Sequence, residues 1–106
     1  MLVATTNDLA GYRITAHLGM VRGVIVRSRS VVGNLGAAIQ SIFGGNITVY
    51  TRLAETARQH AYDLMVEHAQ QMGADAVVAM RYDANEIMDG ITEVLAYGTA
   101  VKVERI

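Results

Sequence analysis

Three consecutive pieces of the C-terminal third decide the fold. They are Asp75-Ala76-Val77-Val78-Ala79-Met80-Arg81-Tyr82-Asp83, the dipeptide Asp89-Gly90, and the stretch from Ile91 to Val103. The first is short and rich in Val and Ala between turn residues, which suits a buried strand. Asp89-Gly90 is a hairpin dipeptide, favoured where both central residues of a type I′ turn need positive φ. Ile91–Val103 alternates, with Ile91, Leu95, Tyr97, Val101 and Val103 on one face and Val94, Ala96 and Ala100 on the other. A β-hairpin closing the chain is therefore expected.

Working back from the hairpin, Gly73 ends a helix, because glycine enters the left-handed conformation at little cost. Tyr50, Leu53, Ala57, Ala61, Leu64, His68 and Met72 recur at helical spacing, with Ala54, Met65 and Ala69 broadening the stripe. A helix over 47–72 is about 39 Å long at about 1.5 Å per residue. Further back, Val31, Leu35, Ala38, Ile39 and Ile42 suggest another helix that enters at Ser28-Arg29-Ser30 and stops at Gly44-Gly45. From Tyr12 to Arg27 the chain alternates. Tyr12, Ile14, Ala16, Leu18, Met20, Val24 and Val26 share one face, broken by Arg22, while Val21, Gly23, Ile25 and Arg27 lie on the other. This reads as a long strand, bent at Gly19 or Gly23. The order is β-α-α-β-β, an α+β fold with a small antiparallel sheet and two helices. It forms one domain over residues 1–106, without internal repeats.

Composition narrows the function classes. The 106 residues include no cysteine, which excludes disulfides, thiol redox chemistry and zinc ribbons. A net charge of −1 lacks the basic excess of nucleic-acid binders, so no nucleic-acid partner is expected. The N-terminal MLVATTNDLA has neither a cationic start nor a long apolar run, so a cytoplasmic location is expected. Ser30 to Thr51 is free of formal charge, but Asn34, Gln40, Ser41, Asn46 and Gly44-Gly45 interrupt it. It suits a buried or interfacial element better than a membrane span.

A lone copy looks incomplete. The long helix matches the roughly 35 Å diameter of a compact domain this size. A three-stranded sheet has two edges, and these strands carry no proline to blunt them. Apolar residues occupy both strand faces, whereas two helices cover only one. Self-association into a homo-oligomer follows.

Several strings resemble the YbjQ-like family of small bacterial and archaeal proteins, which carries a heavy-metal-binding label. They are Gly23-Val24-Ile25-Val26-Arg27-Ser28, Phe43-Gly44-Gly45-Asn46, Tyr50-Thr51-Arg52-Leu53, Ala57-Arg58, Gly73-Ala74-Asp75-Ala76-Val77-Val78, Arg81-Tyr82-Asp83 and Ala96-Tyr97-Gly98-Thr99-Ala100-Val101. The resemblance implies a dodecin-like subunit assembling as a closed ring, typically a pentamer. The family pattern often has Gly after the Ala-Val-Val string, where this chain has Ala79.

Two groups of residues are candidate ligand sites. Arg22, Arg27 and Arg29 precede the expected first helix with Ser28 and Ser30 beside its free N–H groups, a pattern suited to a small anion such as phosphate or a carboxylated metabolite. Salt bridges between subunits, to Glu93, Glu104 or Asp75, are the competing reading. His60, Asp63 and Glu67 fall on one helical face and offer a metal site, against a solvated surface with local charge pairs. Asp83, Glu86 and Asp89 suit turn chemistry better than an ion site. No nucleophile elbow, catalytic triad or phosphate loop is present, and no cofactor is expected. The expected protein is a non-catalytic homo-oligomer that binds a small anion or metal ion. The alternatives are an enzyme with His17, Arg22 or Tyr97 at a subunit boundary, or a scaffold docking a protein or membrane surface through Ser30–Thr51.

Overall fold

The computed structural model describes residues 1–28 and 48–106. Strand β1 is Leu2–Val3 and β2 is Tyr12–Ser28; helix α1 is Thr48–Gln71; β3 is Ala76–Met88 and β4 is Ile91–Arg105. They form one sheet in the order β1-β3-β4-β2. The β2–β4 and β3–β4 pairs are antiparallel, whereas β1 runs parallel to β3, with Leu2 opposite Ala76 and Val3 opposite Val77. The sheet is therefore mixed and four-stranded, not a three-stranded antiparallel one. Two residues are too few to display a period, so β1 is defined by its bonds to β3 rather than by local pattern. The expected helix over 31–43 lies outside the described residues.

Local chemistry explains the element ends. At Gly73, φ is 78°, and the Gly73 and Ala74 amides donate to the Gln70 and Ala69 carbonyls at 3.0 Å each. This is a Schellman cap, and it turns the chain directly toward β3. Asp89-Gly90 makes the hairpin turn as expected, but only Gly90 has positive φ (75°), so the turn is not type I′. The Glu86 carboxylate instead accepts the Gly90 amide at 2.9 Å and fixes the loop.

Helix α1 packs mainly on β2, in an alanine-lined contact. Ala57, Ala61, Met65 and Ala69 are buried against Val21, Ile25, Ala96 and Ala100. The buried line thus follows the expected stripe through Ala57 and Ala61, then runs through Met65 and Ala69 beside it, with Leu64 and His68 half-buried. Gly23 makes the contact possible. A Cβ there would run into the Ala61 carbonyl oxygen and would lie 2.5 Å from the Met65 nitrogen and 2.8 Å from Leu64 Cβ.

Ladder irregularities between Ile14 and Ala16 and between His17 and Gly19 break the expected alternation of β2. Leu18 consequently packs with the helix-side core, whereas Ile14 joins Leu9, Ala76, Val78, Val101 and Val103 in a second cluster. The molecule is finished at one end only. Ala76–Met80 of β3 is mostly buried, and Arg81–Met88 is exposed throughout. The described residues extend 56 × 25 × 17 Å with a radius of gyration of 17.2 Å, well above the roughly 13 Å of a compact 100-residue domain.

Between Val78 and Arg81 the β3 ladder bulges, and Ala79 is the one non-glycine with positive φ (53°) among the described residues. The bulge lets Ala79 and Met80 donate to the Thr6 and Ala4 carbonyls, at 2.8 and 3.0 Å. An L-residue in this conformation costs about 1–2 kcal/mol. Ala79→Gly is expected to raise stability by about 0.5–1 kcal/mol after the unfolded-state entropy is counted, seen as a higher urea midpoint at unchanged slope. Gly23→Ala is expected to lower stability by about 2–3 kcal/mol in the same measurement, because helix backbone must retreat.

Candidate functional site at the edge of strand β2

Because α1 sits over β2, its histidines reach that strand. The Arg22 amide, on the outer edge of β2, donates to His68 Nδ1 at 3.2 Å. Nearer the strand end, Arg27 Nη2 lies 3.4 Å from His60 Nδ1. The arginine side chains themselves part company. Val21, Gly23 and Ile25 are buried under the helix, and Arg27 follows in their phase. Arg22 has the opposite phase, and it borders a hollow of about 470 Å³ on the open face with Met20, Val24, Asp83, Leu95 and Tyr97. The expected arginine cluster is therefore split between the two sides of β2 among the described residues, and Arg29 and Ser30 lie outside them.

The carboxylates named as alternative partners for these arginines are mostly engaged. Glu104 pairs with Arg13. Asp75 accepts the Val103 amide at 3.0 Å and Lys102 Nζ at 3.2 Å. The Val103 amide first, then Lys102, hold the Asp75 carboxyl below its usual value of 3.8. Glu93 alone of the three faces the same hollow as Arg22.

His60, Asp63 and Glu67 share a helix but not a focus. His60 turns to Arg27, Asp63 accepts Gln59 Nε2 at 2.9 Å, and Glu67 borders a separate recess with Arg22 and His68. Among the described residues no three His, Cys, Asp or Glu side chains converge as a metal-holding group. At the hairpin, Glu86 accepts the Gly90 amide, the turn role expected of it, whereas Asp83 lies within β3 opposite Leu95 and accepts the Ala84 amide. Arg81 is spent on the Thr5 and Met80 carbonyls, at 2.7 and 2.8 Å. Arg58 lies 5.9 Å from the Tyr82 ring centre, and burial raises the Tyr82 phenol above its ordinary 10.0. The histidine caps on β2 were hidden in the sequence, since they depend on how closely Gly23 admits the helix. No described helix is long and apolar enough to cross a membrane.

Residues 1–104 match the sequence profile of the YbjQ family, described as "Putative heavy-metal-binding". The chain belongs to the YbjQ family. It is 61% identical over 103 residues to a UPF0145 protein of Chromobacterium violaceum, covering 97% of this chain and 88% of that one. It is also 61% identical over 104 residues to a UPF0145 protein of Burkholderia thailandensis, covering 98% and 94%. A crystal structure of a protein of unknown function from the DUF74 family, from Pediococcus pentosaceus, superposes with a TM-score of 0.58 at 17% identity and 98% coverage of both chains. That likeness concerns the fold. The heavy-metal description does not fit the described residues of this chain, which offer no thiol and no three-ligand group.

The lowered Asp75 carboxyl has a definite acid signature. Its contribution is present above the unfolded-state value and is lost as pH falls through the lower folded value. The stability difference between wild type and Asp75→Asn is therefore expected to be constant near neutrality and to shrink below about pH 4, as read by urea titrations across pH.

Proposed function

We propose that this YbjQ-family protein is a cytoplasmic, non-enzymatic homo-oligomeric binding module. Five dodecin-like subunits close a ring, and each takes a small anion at Arg27. One observation carries the reading. β2 is an edge strand 17 residues long whose outer side pairs with no strand among the described residues, and its open face exposes Met20 (62%), Val24 (42%) and Val26 (56%). Long apolar edges of this kind are a hazard to a monomer and an asset to an assembly. The family resemblance supports the ring and its copy number.

The ligand class follows from Arg27. Its partner is an imidazole, and no carboxylate pairs with it among the described residues. A guanidinium beside a histidine leaves a positive fork open to phosphate or carboxylate. The enzyme alternative has less support. His17 is opposite Val101 whereas Arg22 is opposite Tyr97, four positions along β4. That separates His17 from Tyr97 by about 13 Å at about 3.3 Å per residue.

Native mass spectrometry of protein purified without denaturation is expected to show five-fold multiples of the 11.4 kDa chain. Arg27→Gln is expected to weaken inorganic phosphate binding at least tenfold by calorimetry, with both proteins compared in the same assembly state. Equal phosphate affinity in the two proteins would remove the anion site.

A further inference from the structure

Among the described residues, the two edges of the sheet differ in charge and in what already occupies them. On β2, Arg13, Arg22 and Arg27 are the only formally charged residues; there is no acid in the strand. On β3 beyond Met80 the carboxylates are Asp83 and Glu86, with Asp89 in the turn, while Arg81 is tied back to Thr5. Apolar side chains accompany the charges: Val24 and Val26 on β2, Tyr82 (44% exposed), Ile87 (52%) and Met88 (64%) on β3. β1 and the residues after it occupy the β3 edge only as far as Met80.

Resting on the homo-oligomer reading, we propose that subunits join head to tail, with the C-terminal half of β2 from one copy docking along the free edge of β3 from the next, Arg22 facing Asp83. Three physical arguments support this partner and this polarity. Like edges repel: β2 on β2 sets arginines against arginines, and β3 on β3 sets carboxylates against carboxylates, so an isologous two-fold contact is disfavoured. Unlike edges attract, and a heterologous contact is the kind that propagates into rings. Strand direction agrees as well. β2 and β3 both run antiparallel to β4, so extending the sheet from β2 to the next β3 is a parallel pairing, and β1 shows that this edge of β3 accepts a parallel strand. Arg22 and Asp83 border the same open-face hollow of their own subunit, so a continued sheet keeps them on one side.

His68 sets the limit of the contact. It occupies the Arg22 amide, leaving Val24 and Val26 for the neighbour's backbone. The joint is therefore short and is completed by side chains, with Val24 and Val26 covering the exposed Ile87 and Met88. The open hollow beside Tyr97 then has a wall from each of two copies.

Sedimentation velocity over a dilution series, at low and high salt, tests this with Arg22→Asp, Asp83→Arg and the chain carrying both. Each single reversal is expected to weaken self-association at least tenfold, and the double reversal to restore it to within about threefold. Circular dichroism checks folding, and Arg22→Gln with Asp83→Asn serve if a reversal perturbs it. Single losses without rescue overturn the pairing of these two edges. Unchanged assembly in both singles also overturns it, while leaving the homo-oligomer intact. A wild type that is monomeric at every concentration removes the homo-oligomer reading and this contact with it.

Discussion

The close approach of helix backbone to Gly23 governs the arrangement of everything else. With no side chain at that position, α1 settles over β2 at the margin of the sheet instead of over its middle. That choice brings His60 and His68 onto β2, and among the described residues it leaves the distal half of β3 without a layer above it. Among the described residues, an off-centre helix thus determines at once which edge is partly dressed and which is not. The polar features of β2 are consequences of that steric fact, because neither histidine reaches the strand from a helix seated farther away.

The molecule has a finished end and an unfinished one. At the finished end the N-terminal residues clasp β3, Asp75 ties Lys102 and Val103, and both faces of the sheet are covered. At the other end the hairpin projects with exposed Ile87 and Met88, beside exposed Val24 and Val26. The heavy-metal description of the family finds no support in Asp75 and Glu104 at the finished end, which are already bonded to an amide, lysine and arginine. Among the described residues, the arginine–histidine contacts lie along β2, at Arg22 with His68 and Arg27 with His60.

Much of this was legible in the sequence where regular periods operate. Helix α1 spans Thr48–Gln71 against an expected 47–72, and it stops at Gly73 for the reason expected. The long first strand and the closing hairpin also fall where alternation places them. Features that depend on contact between distant residues escaped. β1 is too short for a pattern; of the two irregularities in β2 that move Leu18 across the sheet, the one ending at Gly19 was signalled by that glycine, and the one between Ile14 and Ala16 had no local signal. Arg22 and Arg27 look like a cluster because they are close along the chain. The alternation that defines the strand already assigns them to opposite faces. The departure at Ala79 was visible as a missing glycine, and its meaning appears only with the positive φ that the bulge imposes.

The interior is built from small parts. Ala57, Ala61, Ala69, Ala76, Ala96 and Ala100 are all buried, and the largest wholly enclosed side chains are methionine and valine. Cohesion here comes from main chains lying near one another rather than from bulky groups filling space. Such an interior tolerates almost no enlargement and has little bulk to trade away, so relatives that diverge in what they recognise are constrained to vary the outside of the sheet while the centre stays nearly fixed in volume.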